Sequence, residues 1–180
     1  MITKTNEMPQ GSVVPAERAP RPADAAIRIG HVHLKTADLA RVKHFYVDIL
    51  GFDVVAELPG ALFIAVGGYH HHLAFNTWES AGGPRPSPGT TGLYHVAILY
   101  PTRAALGDAL RRLVEAGWPL DGVNDHGTHE ALYLSDPDGN GLELAWDRPR
   151  EEWPVGEDGR MTWANRRLDL EGLYREGAEN

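Results

Sequence analysis

An internal repeat constrains this chain more than any other feature. His31-Val32 opens one stretch and His95-Val96 opens another, 64 residues later, each at the start of an apolar run that leads into a helix. A unit of that length buries little by itself. Two units side by side bury one shared apolar layer and close a sheet around a common cavity.

The pattern within each unit supports the repeat. Ile27–Lys35 reads as a strand rich in Ile, Val and Leu, and Leu39, Val42, Phe45, Tyr46, Ile49 and Leu50 recur at helical spacing. Gly51 stands where a helix C-cap belongs. Phe52–Glu57, Ala61–Val66 and His70–Asn76 read as strands, the first two joined by a turn at Pro59-Gly60. Trp78–Thr91, with Gly82, Gly83, Pro84, Pro86, Pro88 and Gly89, is a loop. The order then restarts. Leu93–Tyr100 is a strand, and Thr102 caps a helix with Leu106, Leu110, Leu113 and Val114 on one face. Gly117 ends it. Ala131–Ser135 and Gly141–Trp146 are strands joined by the turn Asp136-Pro137-Asp138-Gly139. Residues 1–26 hold Pro9, Pro15, Pro20 and Pro22 without an apolar period and read as a flexible tail. Residues 27–147 read as the folded domain. Residues 148–180 read as an extension around it, with Leu168, Leu170 and Leu173 suited to a short docking helix.

Composition removes several function classes. Lys and Arg total 17 against 25 Asp and Glu, a net charge of −8, and no basic run offsets it. A nucleic-acid partner is not expected on such a surface. No apolar stretch approaches the ~20 residues of a membrane helix, and no signal-peptide pattern opens the chain, so the expected compartment is the cytoplasm. There are no cysteines, which excludes disulfides, thiolate nucleophiles and iron–sulfur clusters. Nine histidines remain. Metal chemistry here must use imidazole and carboxylate.

His31 and His95 occupy equivalent places in the two units, and Glu143 lies on the last strand. A carboxylate in the apolar context Leu142-Glu143-Leu144-Ala145 needs a charged partner if it points inward. Two imidazoles and one carboxylate on one face of a metal suit Fe(II) with open positions. A plainer reading makes both histidines hydrogen-bonded core residues and Glu143 a solvated one. Their repeat-equivalent placement favours ligands.

Four pieces carry a resemblance: Gly30-His31-Val32-His33-Leu34-Lys35; Tyr69-His70-His71-His72-Leu73-Ala74-Phe75-Asn76-Thr77-Trp78; Gly92-Leu93-Tyr94-His95-Val96-Ala97; and Glu130 to Glu143 with its Asp136-Pro137-Asp138-Gly139-Asn140-Gly141 turn. From Ile27 to Pro154 the chain resembles the vicinal oxygen chelate superfamily, and within it the catechol 2,3-dioxygenase-like (CatE-type) extradiol proteins. The resemblance implies an α+β fold of paired βαβββ modules forming a partly open barrel around a metal site. It implies His31, His95 and Glu143 as metal ligands, with Fe(II) bound and Mn(II) able to replace it. It implies His71 as acid/base, Tyr133 as hydrogen-bond partner of a substrate oxygen, and His126 as a further histidine beside that Tyr. The substrates would be a small aromatic diol, such as L-DOPA or another substituted catechol, and O2. Single-pair members commonly form homodimers, which would shield an open cavity.

Two other classes stay open on these residues. One is a different metal-dependent reaction on the same scaffold: an isomerase, lyase or thiol transferase. The other is a metal-free drug-sequestering protein. The His70–His72 run stands where glyoxalases carry a fourth, carboxylate ligand, which disfavours glyoxalase chemistry and leaves His72 open as a ligand. Tyr133 also reads as a core aromatic, His126 and His129 as solvated loop residues, and His33 as a neighbour of the site. By strand alternation His71 shares a face with Leu73 and Phe75.

Overall fold

The computed structural model describes residues 23–178, so most of the expected tail lies outside the described residues. The first unit runs β1 (Val32–Lys35), α1 (Leu39–Lys43), a π-helical continuation (His44–Ile49), β2 (Asp53–Leu58), β3 (Ala61–Ala65) and β4 (Leu73–Asn76). The second runs β5 (Val96–Leu99), α2 (Arg103–Glu115), β6 (Gly122–Asp125), β7 (His129–Ser135) and β8 (Gly141–Asp147). A short 3-10 turn (Arg150–Glu152) and α3 (Leu170–Glu176) follow. Each unit makes one four-stranded sheet, in the orders β1-β4-β3-β2 and β5-β8-β7-β6. The first strand of each unit pairs in parallel with the last, Val32 against Leu73 and Val96 against Leu142. A parallel pair needs a long crossover, and the helix supplies it. The class is α+β as expected, and no closed barrel forms among the described residues.

Both helices start at a capping side chain, Thr102 as expected and Asp38 in addition. Asp38 accepts from the Ala40 and Arg41 amides, and Thr102 accepts from the Ala105 amide. Such caps are worth about 1 kcal/mol each. Strand alternation then decides which side of each sheet the helices cover. Val32, Leu34, Leu62, Ile64, Leu73 and Phe75 turn to the helix side of the first sheet, and Val96, Ile98, Leu132, Leu134, Leu142 and Leu144 to that of the second.

These residues, with Val42, Phe45 and Tyr46 of the first helix and Leu106, Leu110 and Leu113 of α2, form a single cluster. The two units therefore share one core on their helix sides. Phe45 stacks on Trp118 at 4.4 Å. Tyr46 donates its hydroxyl to Asp136 at 3.2 Å, and Arg41 donates to Asp138 at 2.9 Å. Thr36 also donates to Asp138. The turn of the second unit is thus clamped onto the helix start of the first. The opposite, open faces of both sheets look away from this core.

Some boundaries differ from those read in the sequence. Ile27 and Ile29 are exposed and lie outside β1, because the sheet offers a partner only from Val32 onward. Strand β4 starts at Leu73, so His70–His72 precede it and do not follow its alternation. Strand β6 was not legible: Gly-Val-Asn-Asp has no alternation, and it pairs only because β7 lies beside it. Helix α3 packs on α2 at a close crossing, where a Cβ on Gly107 would meet the Leu173 carbonyl at 2.4 Å. No helix among the described residues is long and apolar enough to cross a membrane.

Candidate active site

The open face of the second sheet carries His95, just before β5, Tyr133 and His129 of β7, and Glu143 of β8. The register sets Tyr133 opposite Glu143. His95 comes close because β5 presses against the start of β8: a Cβ on Gly141 would lie 2.1 Å from the Tyr94 carbonyl. Only glycine admits that approach.

Glu143 is 7% exposed and anchors the group. His95 Nε2 lies 2.9 Å from its Oε2. His129 Nε2 lies 3.0 Å from Oε1, and the Tyr133 hydroxyl lies 3.2 Å from the same atom. Thr128 contacts the other nitrogen of His129 at 2.8 Å, which orients the ring. Burial works against the charge on Glu143, but the hydrogen bond and charge of His129, with His95 and Tyr133, outweigh it and hold the carboxyl below its usual range.

His126 stands behind Tyr133, Nε2 to hydroxyl 2.9 Å. Its Nδ1 lies 3.3 Å from the Ala164 carbonyl. A carbonyl only accepts, so Nδ1 carries the proton and Nε2 is left to accept from Tyr133. Burial, then the neighbouring His129, lowers the His126 pKa and keeps the ring neutral near pH 7. Burial, then the Glu143 charge, pushes the Tyr133 phenol well up, so it stays protonated as a donor. The segment after Trp153 returns to this site: Asp125 bridges to Arg166, and Trp163 sets its ring edge-on to His126 and His129 at 6.1 and 5.9 Å.

The open face of the first sheet carries a different group. His31 packs against His71 at 4.3 Å between ring centres and against His70 at 6.4 Å. The Nδ1 atoms of His70 and His71 are 2.9 Å apart, so one donates to the other. Phe63 flanks His71 at 5.3 Å. Slight desolvation, then the charges of His31 and His70, lower the His71 pKa. His33 joins Asn76 at 2.9 Å. His72 packs on Tyr69 and contacts the Val66 amide.

The six residues singled out in the sequence thus fall into two groups. His95, Glu143, Tyr133 and His126 stand together. His31 and His71 stand together on the other sheet. The separation of His95 and Glu143 matches that of adjacent donors around a divalent cation with bonds of about 2.1 Å, roughly 3.0 Å. His31 does not complete that pair within one chain, and no group of three His, Asp or Glu among the described residues is placed to hold a metal ion. His129 was read as a loop residue and is instead the first residue of β7. The alternation His129, Ala131, Tyr133 carries the signal that finds it. Nothing in the sequence pattern points to Trp163.

The architecture defines a class: two βαβββ units, each with a histidine at the head of its first strand, and a carboxylate on the last. Residues 28–144 match the model of the glyoxalase/bleomycin resistance protein/dioxygenase superfamily, and the chain belongs to that family. It is 40% identical over 151 residues to a catechol-2,3-dioxygenase of Bacillus subtilis, covering 84% of this chain and 52% of that protein. It is 36% identical over 120 residues to a biphenyl-2,3-diol 1,2-dioxygenase of Rhodococcus globerulus, covering 67% of this chain and 63% of that one. The chain therefore spans between half and two thirds of the length of these relatives. The crystal structure of a lactoylglutathione lyase from Agrobacterium tumefaciens shares the fold, with a TM-score of 0.55 at 22% identity over 68% of this chain and 96% of that one.

Proposed function

We propose that the protein is an extradiol dioxygenase that opens a small catecholic ring with O2, using Fe(II), or Mn(II) in its place, held by His31, His95 and Glu143. The observation that carries this reading is the His95–Glu143 pair with Tyr133 and His126 joined to it on one open face. The similarity to the two diol dioxygenases supports it. The metal would supply a Lewis-acidic centre where both diol oxygens and O2 are gathered.

The chain's own residues then have defined tasks. Tyr133, held protonated, donates a hydrogen bond to a diol oxygen. His126 Nε2 holds the Tyr133 oxygen in place and accepts its single proton only while no diol is bound. His129 donates to Glu143 and keeps the carboxylate charged and oriented. His71 is neutral near pH 7 and takes a proton from the diol, then returns it as the ring opens. Ring opening beside the diol takes up both atoms of O2 and leaves a semialdehyde. We place the working protein as a homodimer.

The test is metal analysis of anaerobically purified protein, followed by a panel of catechols, L-DOPA included, watched for yellow ring-opened product. Iron or manganese with turnover is expected. Nickel or zinc with no turnover would move the protein to the isomerase and lyase branch of the family. No metal under any loading would overturn the reading.

A further inference from the structure

We propose that Trp163 is a specificity-determining residue: the C-terminal extension carries its indole to the site, where the uncovered ring receives a flat substituent on the diol ring. The inference rests on the dioxygenase reading above and adds what selects among catechols. Three observations point to it. First, Trp163 lies outside the paired units yet packs on their chemistry. Its ring centre is 6.1 Å from that of His126 and 5.9 Å from that of His129, close to perpendicular to both. Those two imidazoles stack on each other at 4.6 Å, and they are the partners of the Tyr133 hydroxyl and of Glu143. One layer of imidazole therefore separates the indole from the groups that meet the diol.

Second, the backbone fixes the indole there. The Thr162 amide donates to the Pro154 carbonyl and the Ala164 amide to the His126 carbonyl, each at 2.9 Å, so both chain neighbours of Trp163 are tied. Asp125 and Arg166 exchange two further bonds, at 3.1 and 2.9 Å. Gly127 lets the extension lie close, with φ +77°: a Cβ there would stand 3.0 Å from Pro154 Cγ and 3.2 Å from Ala164 Cβ. Arg148 locks the same hairpin. Its guanidinium donates to Asp125 at 3.0 Å and to the buried Glu130 at 2.6 Å, and its amide donates to the Thr128 carbonyl at 2.9 Å. The indole is held before any ligand arrives, so contact with one costs little ordering entropy. Third, this anchored ring is 50% exposed. A large aromatic is fixed beside the site and half of it is left uncovered. A ring whose diol lies at Tyr133 and Glu143 reaches the indole only through a substituent, because the imidazole layer fills the space between. An indole takes flat aromatic groups best, by offset or edge-on stacking.

The test compares catechol with a phenyl-substituted catechol on metal-loaded wild type, Trp163→Leu and Trp163→Phe. Dissociation constants are measured by calorimetry without O2, and kcat/KM with it. The preference for the phenyl compound, taken as the ratio of the two diols, is expected to fall about tenfold in Trp163→Leu, mostly through Kd and KM, the size of a lost aromatic pair with its buried area. Trp163→Phe keeps an aromatic face and is expected to restore most of the ratio. A ratio that stays at the wild-type value in Trp163→Leu, whether both diols bind as before or both weaken equally, overturns the proposal and leaves the dioxygenase reading standing. A wild type that binds no metal, or neither diol, overturns both. If circular dichroism shows that Trp163→Leu is unfolded, Trp163→Met takes its place.

Discussion

The two open faces grow from the same repeated unit and have different chemistry. On the first, His31, His70 and His71 meet largely through ring packing, in a segment outside regular strand. On the second, hydrogen bonds orient the side chains: Thr128 holds His129, His129 and Tyr133 meet Glu143, and the Ala164 carbonyl holds His126. The difference follows from the backbone. His129, Tyr133 and Glu143 sit on two long paired strands, whose register sets their spacing. His70 and His71 sit in the connection before β4, where no ladder fixes them. Strand register and hydrogen bonds fix the second group, whereas ring packing places the first.

The sharpest way to break this comparison is to remove one acceptor from each face. Glu143→Ala takes away the carboxylate that His95, His129 and Tyr133 share, and metal content is expected to fall to background. His33→Ala on the first face loses its contact to Asn76 and its edge packing on Phe63 and Trp78, and is expected to keep its metal. Metal analysis of the two purified variants checks both. Equal retention would remove Glu143 from the ligand set.

Next in size is His71→Ala. It is expected to keep its metal and bind catechol while turnover falls by a factor on the order of 10² to 10⁴, the usual worth of a positioned acid/base. His72→Ala, which packs on Tyr69, is expected to be milder. Steady-state kinetics beside metal analysis separates the cases: loss of metal in His71→Ala would make His71 a ligand, and normal turnover would end its proposed role.

A smaller effect probes the link between the halves. Tyr46→Phe removes the donor that reaches the buried Asp136 across the two units. A buried acceptor deprived of one partner costs about 1–3 kcal/mol. Urea unfolding is expected to shift by that amount while staying a single transition, since both units share one core. Two separate transitions would show that the halves fold independently.

The smallest effect is a pH dependence on the second face. The folded-state pKa of His126 is lowered by burial first and by His129 second. The unfolded chain therefore binds the proton more readily than the folded one. Stability is full above the ordinary value of 6.5 and is lost as pH falls from there toward the lowered value. His126→Gln is expected to flatten this loss between about pH 7.5 and 5, read as urea midpoints. An unchanged slope would assign the acid sensitivity to another histidine.

Much of the fold was legible because its signals are local. The repeat, the Thr102 cap, the apolar runs of β3, β7 and β8, and the Asp136–Gly139 turn each act through neighbours in the chain. Strand β6 was missed because pairing with β7 makes it a strand. The placement of His70 and His71 was misread because alternation was extended past His72, the last residue in that direction bonded to the neighbouring strands.

The sequence by itself determined the family's two-unit architecture, the α+β class and the small set of imidazoles and carboxylates available for chemistry. These follow from residue type and short-range periodicity, which need no knowledge of distant contacts. Tertiary structure alone decided that His129 shares Glu143 with His95, that Ala164 orients His126 from the far end of the chain, and that His31 stands apart from the pair it was expected to join. Each of those facts joins residues through strand register, a returning segment or a shared core. The helix-side burial of both units turns the open faces outward, and no local pattern in the chain encodes that direction.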